Sequence, residues 1–287
     1  MNFRLGLAIW GYKGWLGDLF PSGSRASEFL RLYGQRFRVV EGNTTFYSIP
    51  DSKTVARWAA ETPAGFEFCL KLPKTLTHQG ALAPAMPGVI QFLDQMQGLG
   101  DRLGPMFAQL PPGYGPDRFT DLEAFLTALP RDSQKFALEV RHLDWFREPY
   151  SSQLTALLNQ LGVGRVLLDT RPIYDLPEAA DDPQVASERR KPRVPLQAEI
   201  TAEFSLVRYI SHPDLALNEG FLQQWAVQID AWLSQGKRVY FFVHCPLEER
   251  SPTNARCFQQ MLERRGSPVP PLPWNQLAQA STQLSLF

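Results

Sequence analysis

The sequence predicts a single-domain α/β protein, a TIM (β/α)8 barrel with a Pro-rich C-terminal tail. Its 287 residues suit one barrel, since such domains take about 250 residues. Short apolar runs alternate with longer amphipathic segments, the pattern of a parallel sheet with crossover helices. An open doubly wound sheet is the alternative, but no G-x-G-x-x-G motif follows the first run, which favours the barrel.

The apolar runs are the predicted strands, and they are rich in Val, Ile, Leu and Phe. They recur at roughly 30 to 40 residues, the repeat of one strand and one helix in a barrel. The predicted strands cover residues 4–10, 38–41, 66–70, 105–109, 136–139, 165–169, 205–208 and 239–244.

Two helices between these strands have clear signals. Asp51 or Ser52 as N-cap and Pro63 as terminator predict a helix over residues 54–60. Apolar residues at spacings of three and four predict another helix over residues 221–233, with Gly236 as its stop.

Two segments interrupt the alternation of strands and helices. Residues 174–195 contain an acidic pair and a basic run, and we expect a long excursion after the sixth strand. Prolines cluster after residue 266 and predict a connector. The predicted organisation is therefore a barrel domain at residues 1–265, then a connector and C-terminal peptide at residues 266–287.

The composition limits the class of protein. With 29 Lys and Arg against 29 Asp and Glu, the chain lacks the basic surplus of proteins that hold nucleic acid through phosphate contacts alone. The start of the chain lacks a secretory signal, and no apolar stretch approaches the roughly 18 residues of a membrane-spanning helix. The three cysteines show no C-x-x-C spacing. We expect a cytoplasmic protein without membrane contact.

Polar residues follow every predicted strand except the first. In a barrel, the carboxyl ends of the strands form the face that carries the active site. Carboxylates or a histidine there are candidate acids, bases or nucleophile activators, and the cations and amides are candidate ligands of an anion such as phosphate. The candidate catalytic residues are Glu139, Glu41, Asp169 and His142, and the candidate anion-binding residues are Lys71, Arg141, Arg208, Asn43, Gln109 and Arg171.

Two other interpretations of this rim stay open. Buried charges must be paired, so the same residues fit an internal salt-bridge network that closes the barrel. Carboxylates and histidines, including His244, are also the ligand types of a divalent metal, although no H-x-x-x-H spacing is present. The identity of a metal or cofactor is left undetermined by the sequence.

Aromatic residues flank the predicted rim. Trp10 and Trp15 follow the first strand, Phe46 and Tyr47 the second, and Trp145 the fifth. They fit either packing within a lid or stacking of a base or sugar ring beside the cationic residues.

Several motifs resemble the YecE-like family, which is domain of unknown function family 72. The most specific are VEGNTTFY at residues 40–47, FCLKLP at 68–73, QLPP at 109–112 and LEVRH at 138–142. LLDTRP at 167–172 with KPRVP at 191–195 resembles the enterobacterial YecE branch. The resemblance implies a TIM barrel and supplies no reaction.

The chain departs from the family pattern after the seventh strand. Many members have Arg-x-His-Gly there, whereas this chain has Arg208 followed by Tyr209, Ile210 and Ser211, with the histidine displaced to His212. This departure counts against a catalytic histidine at that point.

The last five residues resemble the peptide by which bacterial polymerases and repair proteins dock on the DNA polymerase III sliding clamp, its beta subunit. Leucine and phenylalanine side chains would fill apolar pockets, and the glutamine would hydrogen-bond at the edge. The alternative is that this tail packs back on the barrel. The candidate docking residues are Gln283, Leu284, Ser285, Leu286 and Phe287.

Two functions follow from these features. The first is a phosphodiesterase or other hydrolase of phosphate esters, acting on nucleic acid or another phosphorylated substrate and recruited to the sliding clamp. The second is a non-catalytic module that binds the clamp and has a structural ion-pair network at the barrel mouth.

Overall fold

The computed structural model describes residues 2–175 and 192–276. It confirms the predicted (β/α)8 barrel, and all eight predicted strands are present within a few residues of their expected bounds. The strands are β1 (Phe3–Leu7), β2 (Val39–Gly42), β3 (Glu67–Leu70), β4 (Met106–Gln109), β5 (Phe136–Glu139), β6 (Gly164–Asp169), β7 (Phe204–Ile210) and β8 (Arg238–His244).

All strand pairs are parallel, and the sheet order is β3-β2-β1-β8-β7-β6-β5-β4. The two end strands meet through isolated bridges, Phe68 with Leu103 and Lys71 with Phe107. Two backbone hydrogen bonds accompany these bridges: Leu72 donates to the Phe107 carbonyl at 2.9 Å and Gly104 to the Phe68 carbonyl at 3.0 Å. We call this short contact between β3 and β4 the seam.

Helices surround the sheet. Both predicted helices are confirmed, and each is slightly longer than expected. The Asp51 carboxylate accepts a hydrogen bond from the Thr54 amide at 2.8 Å and caps the helix Ser52–Glu61, as predicted. The helices are α1 (Phe29–Gly34), α2 (Thr44–Tyr47), α3 (Ser52–Glu61), α4 (Lys74–Thr77), α5 (Met86–Met96), α6 (Phe119–Ala128), α7 (Tyr150–Leu161), α8 (Arg171–Tyr174), α9 (Glu219–Ser234) and α10 (Ser251–Arg265).

The core has two layers because side chains alternate along each strand. Outward residues pack under the helices, as where Phe241 contacts Trp225 of α9 and Phe258 of α10. Inward residues such as Phe107 and Phe242 fill the barrel interior. This apolar filling separates two polar ends, so the barrel is a packed solid rather than a channel.

Part of the predicted connector packs on the barrel. Leu272 and Trp274 are buried, and Trp274 lies between the guanidinium groups of Arg36 and Arg256 at 5.7 and 4.7 Å from its ring. Because Arg36 precedes β2, this contact lies at the amino-terminal end of the barrel. Residues 176–191 in the predicted excursion, and the five candidate docking residues Gln283 to Phe287, lie outside the described residues.

Within the described ranges, every helix is too short or too polar to cross a lipid bilayer. This finding agrees with the expectation drawn from the apolar stretches of the sequence.

Candidate functional site

Inward-facing residues at the carboxyl ends of five strands, with residues just beyond the strand ends, come together at one end of the barrel. Period-two alternation places them there, because the same face of each strand points to the barrel axis. We call this group the mouth cluster. It consists of Glu41, Asn43, Lys71, Gln109, Glu139, Arg141, Arg208 and His244.

Arg208 occupies the centre of the mouth cluster. Its Nε and Nη2 donate to the two carboxylate oxygens of Glu41, both at 2.9 Å. Its Nη1 donates to Glu139 Oε2 at 2.6 Å. The three side chains are at most 5 % exposed. Each guanidinium nitrogen of Arg208 is thus directed at a carboxylate of the protein, and little of this group is left for a ligand.

The network continues from Glu139 across the mouth. Arg141 Nε donates to Glu139 Oε1 at 2.6 Å. Arg141 Nη2 and Lys71 Nζ both donate to the same atom, Gln109 Oε1, at 2.5 and 2.6 Å. One amide oxygen therefore holds two cations side by side.

Lys71 differs from the arginines in its partners. Its Nζ lies 3.7 Å from the centroid of the Phe46 ring, a cation–π contact. Among the described residues, no carboxylate forms an ion pair with Lys71. The side chain is buried nonetheless, so Lys71 carries a buried ammonium group whose protein partners are an amide and a ring.

Asn43 and His244 complete the surroundings of Glu41. Asn43 Nδ2 donates to Glu41 Oε1 at 2.6 Å and to the Ala8 carbonyl at 3.0 Å. His244 Nε2 lies 3.0 Å from Glu41 Oε2. Glu41 is therefore enclosed by four contacts from three side chains, and its carboxylate is held in place.

These contacts shift the pKa values of the mouth cluster. Burial alone would raise the pKa of Glu139, but Arg208 and Arg141 lower it to about 2. Burial would likewise raise the pKa of Glu41, but Arg208 and His244 hold it well below its usual range. Burial and the neighbouring Arg208 lower the pKa of Lys71 to about 7. Lys71 thus has a pKa near neutrality, far below that of an ordinary lysine.

The charges of the mouth cluster do not balance. Lys71, Arg141 and Arg208 are cations, and Glu41 and Glu139 are carboxylates. When Lys71 is protonated, the cluster therefore carries one more positive than negative charge, apart from His244. An anion bound there would offset the surplus.

Asp169 and Arg171 form a separate group. Arg171 holds the Asp169 carboxylate with Nε and Nη2 at 2.9 and 2.8 Å, and Trp225 of α9 donates to the same carboxylate at 2.7 Å. In the pairing of β6 with β7, Leu168 lies beside Arg208 and Asp169 beside Tyr209. Asp169 therefore faces the helices, not the barrel axis, and sits apart from the two glutamates.

The candidate His142 and the displaced His212 also lie outside the mouth cluster. His142 is part-exposed on the rim, where its Nδ1 accepts from the Asp144 amide at 3.2 Å. His212 is buried, and its Nδ1 accepts from the Asp214 amide at 2.9 Å. In the described part of the chain, no three His, Cys, Asp or Glu side chains are grouped so as to hold a metal ion.

A cleft of about 650 Å³ lies beside the mouth cluster. Its lining includes Phe46, Tyr47, Ile49, Lys74 and His78, and we call it the Phe46 cleft. His78 directly follows the short helix α4 and lies in none of the sequence motifs, so it was not among the predicted site residues. Its ring lies 5.1 Å from that of Phe46, and burial, with Lys71 next, lowers its pKa to about 4.

The fold has counterparts among solved structures. A DUF72 family protein of Enterococcus faecalis V583 superposes with a TM-score of 0.69 at 16% identity, covering 91% of this chain and 95% of that one. A DUF72 family protein of Thermotoga maritima MSB8 gives a TM-score of 0.68 at 20% identity, covering 92% and 100%. At these identities the likeness concerns the fold alone.

The sequence has relatives over most of its length. It is 36% identical over 252 residues to the UPF0759 protein YecE of Escherichia coli K12, covering 86% of this chain and 88% of that protein. It is 26% identical over 163 residues to the UPF0759 protein YunF of Bacillus subtilis 168, covering 53% and 57%. Residues 4–277 match the family described as protein of unknown function DUF72. The chain is therefore a YecE-like member of the DUF72 family.

Proposed function

We propose that the mouth cluster binds a phosphate ester through Lys71 and Arg141 and hydrolyses it. The observation that carries this proposal is the buried ammonium group of Lys71, which lies beside Arg141. Among the described residues, Lys71 has no carboxylate partner. An arginine can donate two parallel hydrogen bonds to phosphate oxygens, and a neighbouring lysine adds a compact positive charge, so the pair is suited to binding phosphate. The dianionic or monoanionic group would offset the surplus charge of the cluster.

Lys71 also supplies the proton in this proposal. A group with a pKa near the working pH is the most effective general acid, and the pKa of Lys71 is about 7. Water attacks phosphorus, the bond to the leaving oxygen breaks, and Lys71 donates its proton to that oxygen. The attacking water keeps one proton as the new P–OH group and releases the other to solvent, from which the Lys71 amine is protonated again. The loose transition state of such transfers depends more on charge stabilisation than on a strong base.

The glutamates have a positioning role in this scheme. The pKa of Glu139 is about 2, so this carboxylate is a weak base at neutral pH. Glu41 and Glu139 instead fix the guanidinium of Arg208, and Glu139 also orients Arg141. The acid or base role that the sequence suggests for these carboxylates therefore passes to Lys71.

The test measures inorganic phosphate binding by calorimetry and turnover of bis(p-nitrophenyl) phosphate and p-nitrophenyl phosphate. Lys71→Met preserves the length of the side chain and removes the charge, and we expect loss of phosphate binding and of turnover. Lys135→Ala removes an exposed lysine at the amino-terminal end of β5 and should leave both unchanged. Equal phosphate affinity in Lys71→Met and the unchanged protein would reject the proposal.

Recruitment to the sliding clamp by residues 283–287 is a second part of the proposed function. The sequence Gln283 to Phe287 supports it, with two apolar side chains at the end of the chain for pockets of the clamp. The packed Trp274 lies at the amino-terminal end of the barrel, opposite the mouth cluster.

Calorimetric titration with purified sliding clamp tests the recruitment. We expect binding by the full chain and its loss in a variant that lacks residues 283–287. Leu286→Ala with Phe287→Ala should have the same effect, whereas Ser285→Ala should retain most of the affinity. Undiminished binding after removal of the five residues would exclude them as the docking peptide.

The non-catalytic module remains the second candidate. It is favoured by the closed contacts of Arg208 with Glu41 and Glu139, which resemble a structural ion-pair network. Clamp binding without phosphate binding or turnover would support this candidate over the hydrolase.

A further inference from the structure

We propose that the Phe46 cleft binds the base of a nucleotide whose phosphate group lies at Lys71, so that the substrate class of the site is a nucleotide or a terminal nucleotide of a strand. This inference rests on the proposed phosphate site. It adds a second contact region with its own chemistry, and the two can be tested separately.

An exposed aromatic ring stands at the edge of the cleft. Tyr47 is 82% exposed and Ile49 is 45% exposed, although both side chains are large and partly apolar. The Tyr47 and Phe46 rings make a T-shaped contact at 5.1 Å, and the high exposure of Tyr47 leaves most of its ring surface open to a ligand. A base stacks on such a face with about 1–3 kcal/mol of binding free energy.

Phe46 joins the cleft to the phosphate site. Lys71 Nζ lies 3.7 Å from the Phe46 centroid, and that centroid lies 5.1 Å from the Tyr47 centroid. The Lys71 ammonium is therefore at most 8.8 Å from the Tyr47 ring, as 3.7 + 5.1 Å. The base and the phosphate of a single nucleotide are separated by a comparable distance.

The polar groups of the cleft suit an anionic ligand with a hydrogen-bonding ring. Lys74 lines the cleft, and no carboxylate is among the described lining residues. The His78 ring stays neutral at pH 7 because its pKa is about 4. The Nδ1 atom of His78 lies 2.9 Å from Thr77 Oγ1. In the proposed complex, His78 Nε2 and the Gln79 side-chain amide form hydrogen bonds with the polar edge of the base.

The decisive experiment compares adenosine monophosphate with ribose 5-phosphate and inorganic phosphate by calorimetry. Stacking predicts that adenosine monophosphate binds on the order of 5- to 150-fold tighter than ribose 5-phosphate. Tyr47→Ala should abolish this preference, and Tyr47→Phe should retain it. Tyr150→Ala alters an exposed tyrosine outside the cleft and should leave the preference unchanged.

Equal affinity for the two phosphorylated ligands would overturn the base site and leave the phosphate site standing. Adenosine binding that is lost in Tyr47→Ala, together with adenosine monophosphate binding that is unaffected by Lys71→Met, would support the base site while rejecting the phosphate site. A 5′-phosphorylated tetranucleotide, compared with adenosine monophosphate, distinguishes a strand end from a free nucleotide as the source of the ligand.

Discussion

At the scale of single residues, the chemistry of the site follows from what each charged group contacts. Lys71 has a ring and an amide oxygen, while Arg208 has two carboxylates. Burial acts on all of these groups, but the partnered ones keep their charge. Lys71 alone among them has a pKa of about 7, and its charge state therefore changes in the neutral range.

Anion affinity should consequently depend on pH. Burial lowers the pKa of Lys71 most, and Arg208 and Arg141 lower it further. Glu139 and Glu41 raise it in part, and the result is a pKa of about 7. Since this pKa is lowered, Lys71 is charged below pH 7 and neutral above it. We expect sulfate, whose own charge is constant in this range, to bind about tenfold more weakly at pH 8 than at pH 6. Calorimetry at several pH values measures this, and Lys71→Met should remove the dependence.

Stability should respond to the loss of Glu139. Glu139→Gln leaves Arg208 and Arg141 with one carboxylate fewer in a buried site, which costs about 3–5 kcal/mol of unfolding free energy. Denaturant unfolding should show this loss, and Glu123→Gln, on the exposed face of α6, should change stability little. The contribution of Glu139 is present above pH 4.5 and is lost as the pH falls towards 2, because its folded pKa is lowered. A change below 1 kcal/mol would contradict the buried pairing.

The composition of the mouth cluster was predictable, but the pairing within it was not. Strand ends supplied Glu41, Lys71 and Glu139 because apolar runs end in charged residues at one face of the barrel. The sequence also placed Asp169 on this rim, but Asp169 follows the inward-facing Leu168 and its side chain therefore faces the helices, apart from the two glutamates. Alternation along β6 would have separated it. The pKa of Lys71 depends on contacts between distant strands, which no local pattern contains.

At the scale of secondary structure elements, strong local signals predicted the strands and capped helices well. Val, Ile, Leu and Phe runs fixed the positions of the eight strands, and Asp51 fixed the start of α3. The segment after α10 was harder to predict, because its prolines are typical of connectors. Its packing depends on Trp274 meeting Arg36, which precedes β2 and is far away in the sequence, and Arg256 of the preceding helix α10.

Trp274→Ala should therefore weaken the whole barrel. A buried tryptophan replaced by alanine costs roughly 3–5 kcal/mol, and here the cation–π contacts with two arginines are lost as well. Denaturant unfolding measures the loss. Tyr47→Ala removes an aromatic ring that is 82% exposed, and this matched control should change the unfolding free energy little. A loss below 1 kcal/mol in Trp274→Ala would show that the segment is dispensable for the fold.

At the scale of the whole molecule, a net charge of zero conceals an uneven distribution. Cations are concentrated at the mouth cluster and, at the amino-terminal end of the barrel, around Trp274. The apolar interior separates these two ends. In the proposed function, the mouth cluster would bind an anion without a basic surface, and the C-terminal peptide would raise the effective concentration of the protein near the clamp.

The two proposed sites should be thermodynamically independent. The described chain before the tail packs, at Trp274, on the barrel end opposite the mouth cluster. We therefore expect that phosphate does not change the affinity for the sliding clamp and that the clamp does not change the affinity for phosphate. Calorimetric titrations of each ligand with and without saturating amounts of the other measure the coupling. A reciprocal change of fivefold or more would disprove independence and imply a conformational link through the barrel.

The seam between β3 and β4 gives the barrel a preferred point of local opening. Only two bridges and the hydrogen bonds of Leu72 and Gly104 join these strands in the described structure, whereas seven residue pairs join β7 to β8. The amides of Leu72 and Gly104 should exchange with deuterium earlier than those of β7 and β8. Since Lys71 itself forms one of the two bridges, sub-global breathing at the seam is the motion that would admit solvent and ligands to its buried amine.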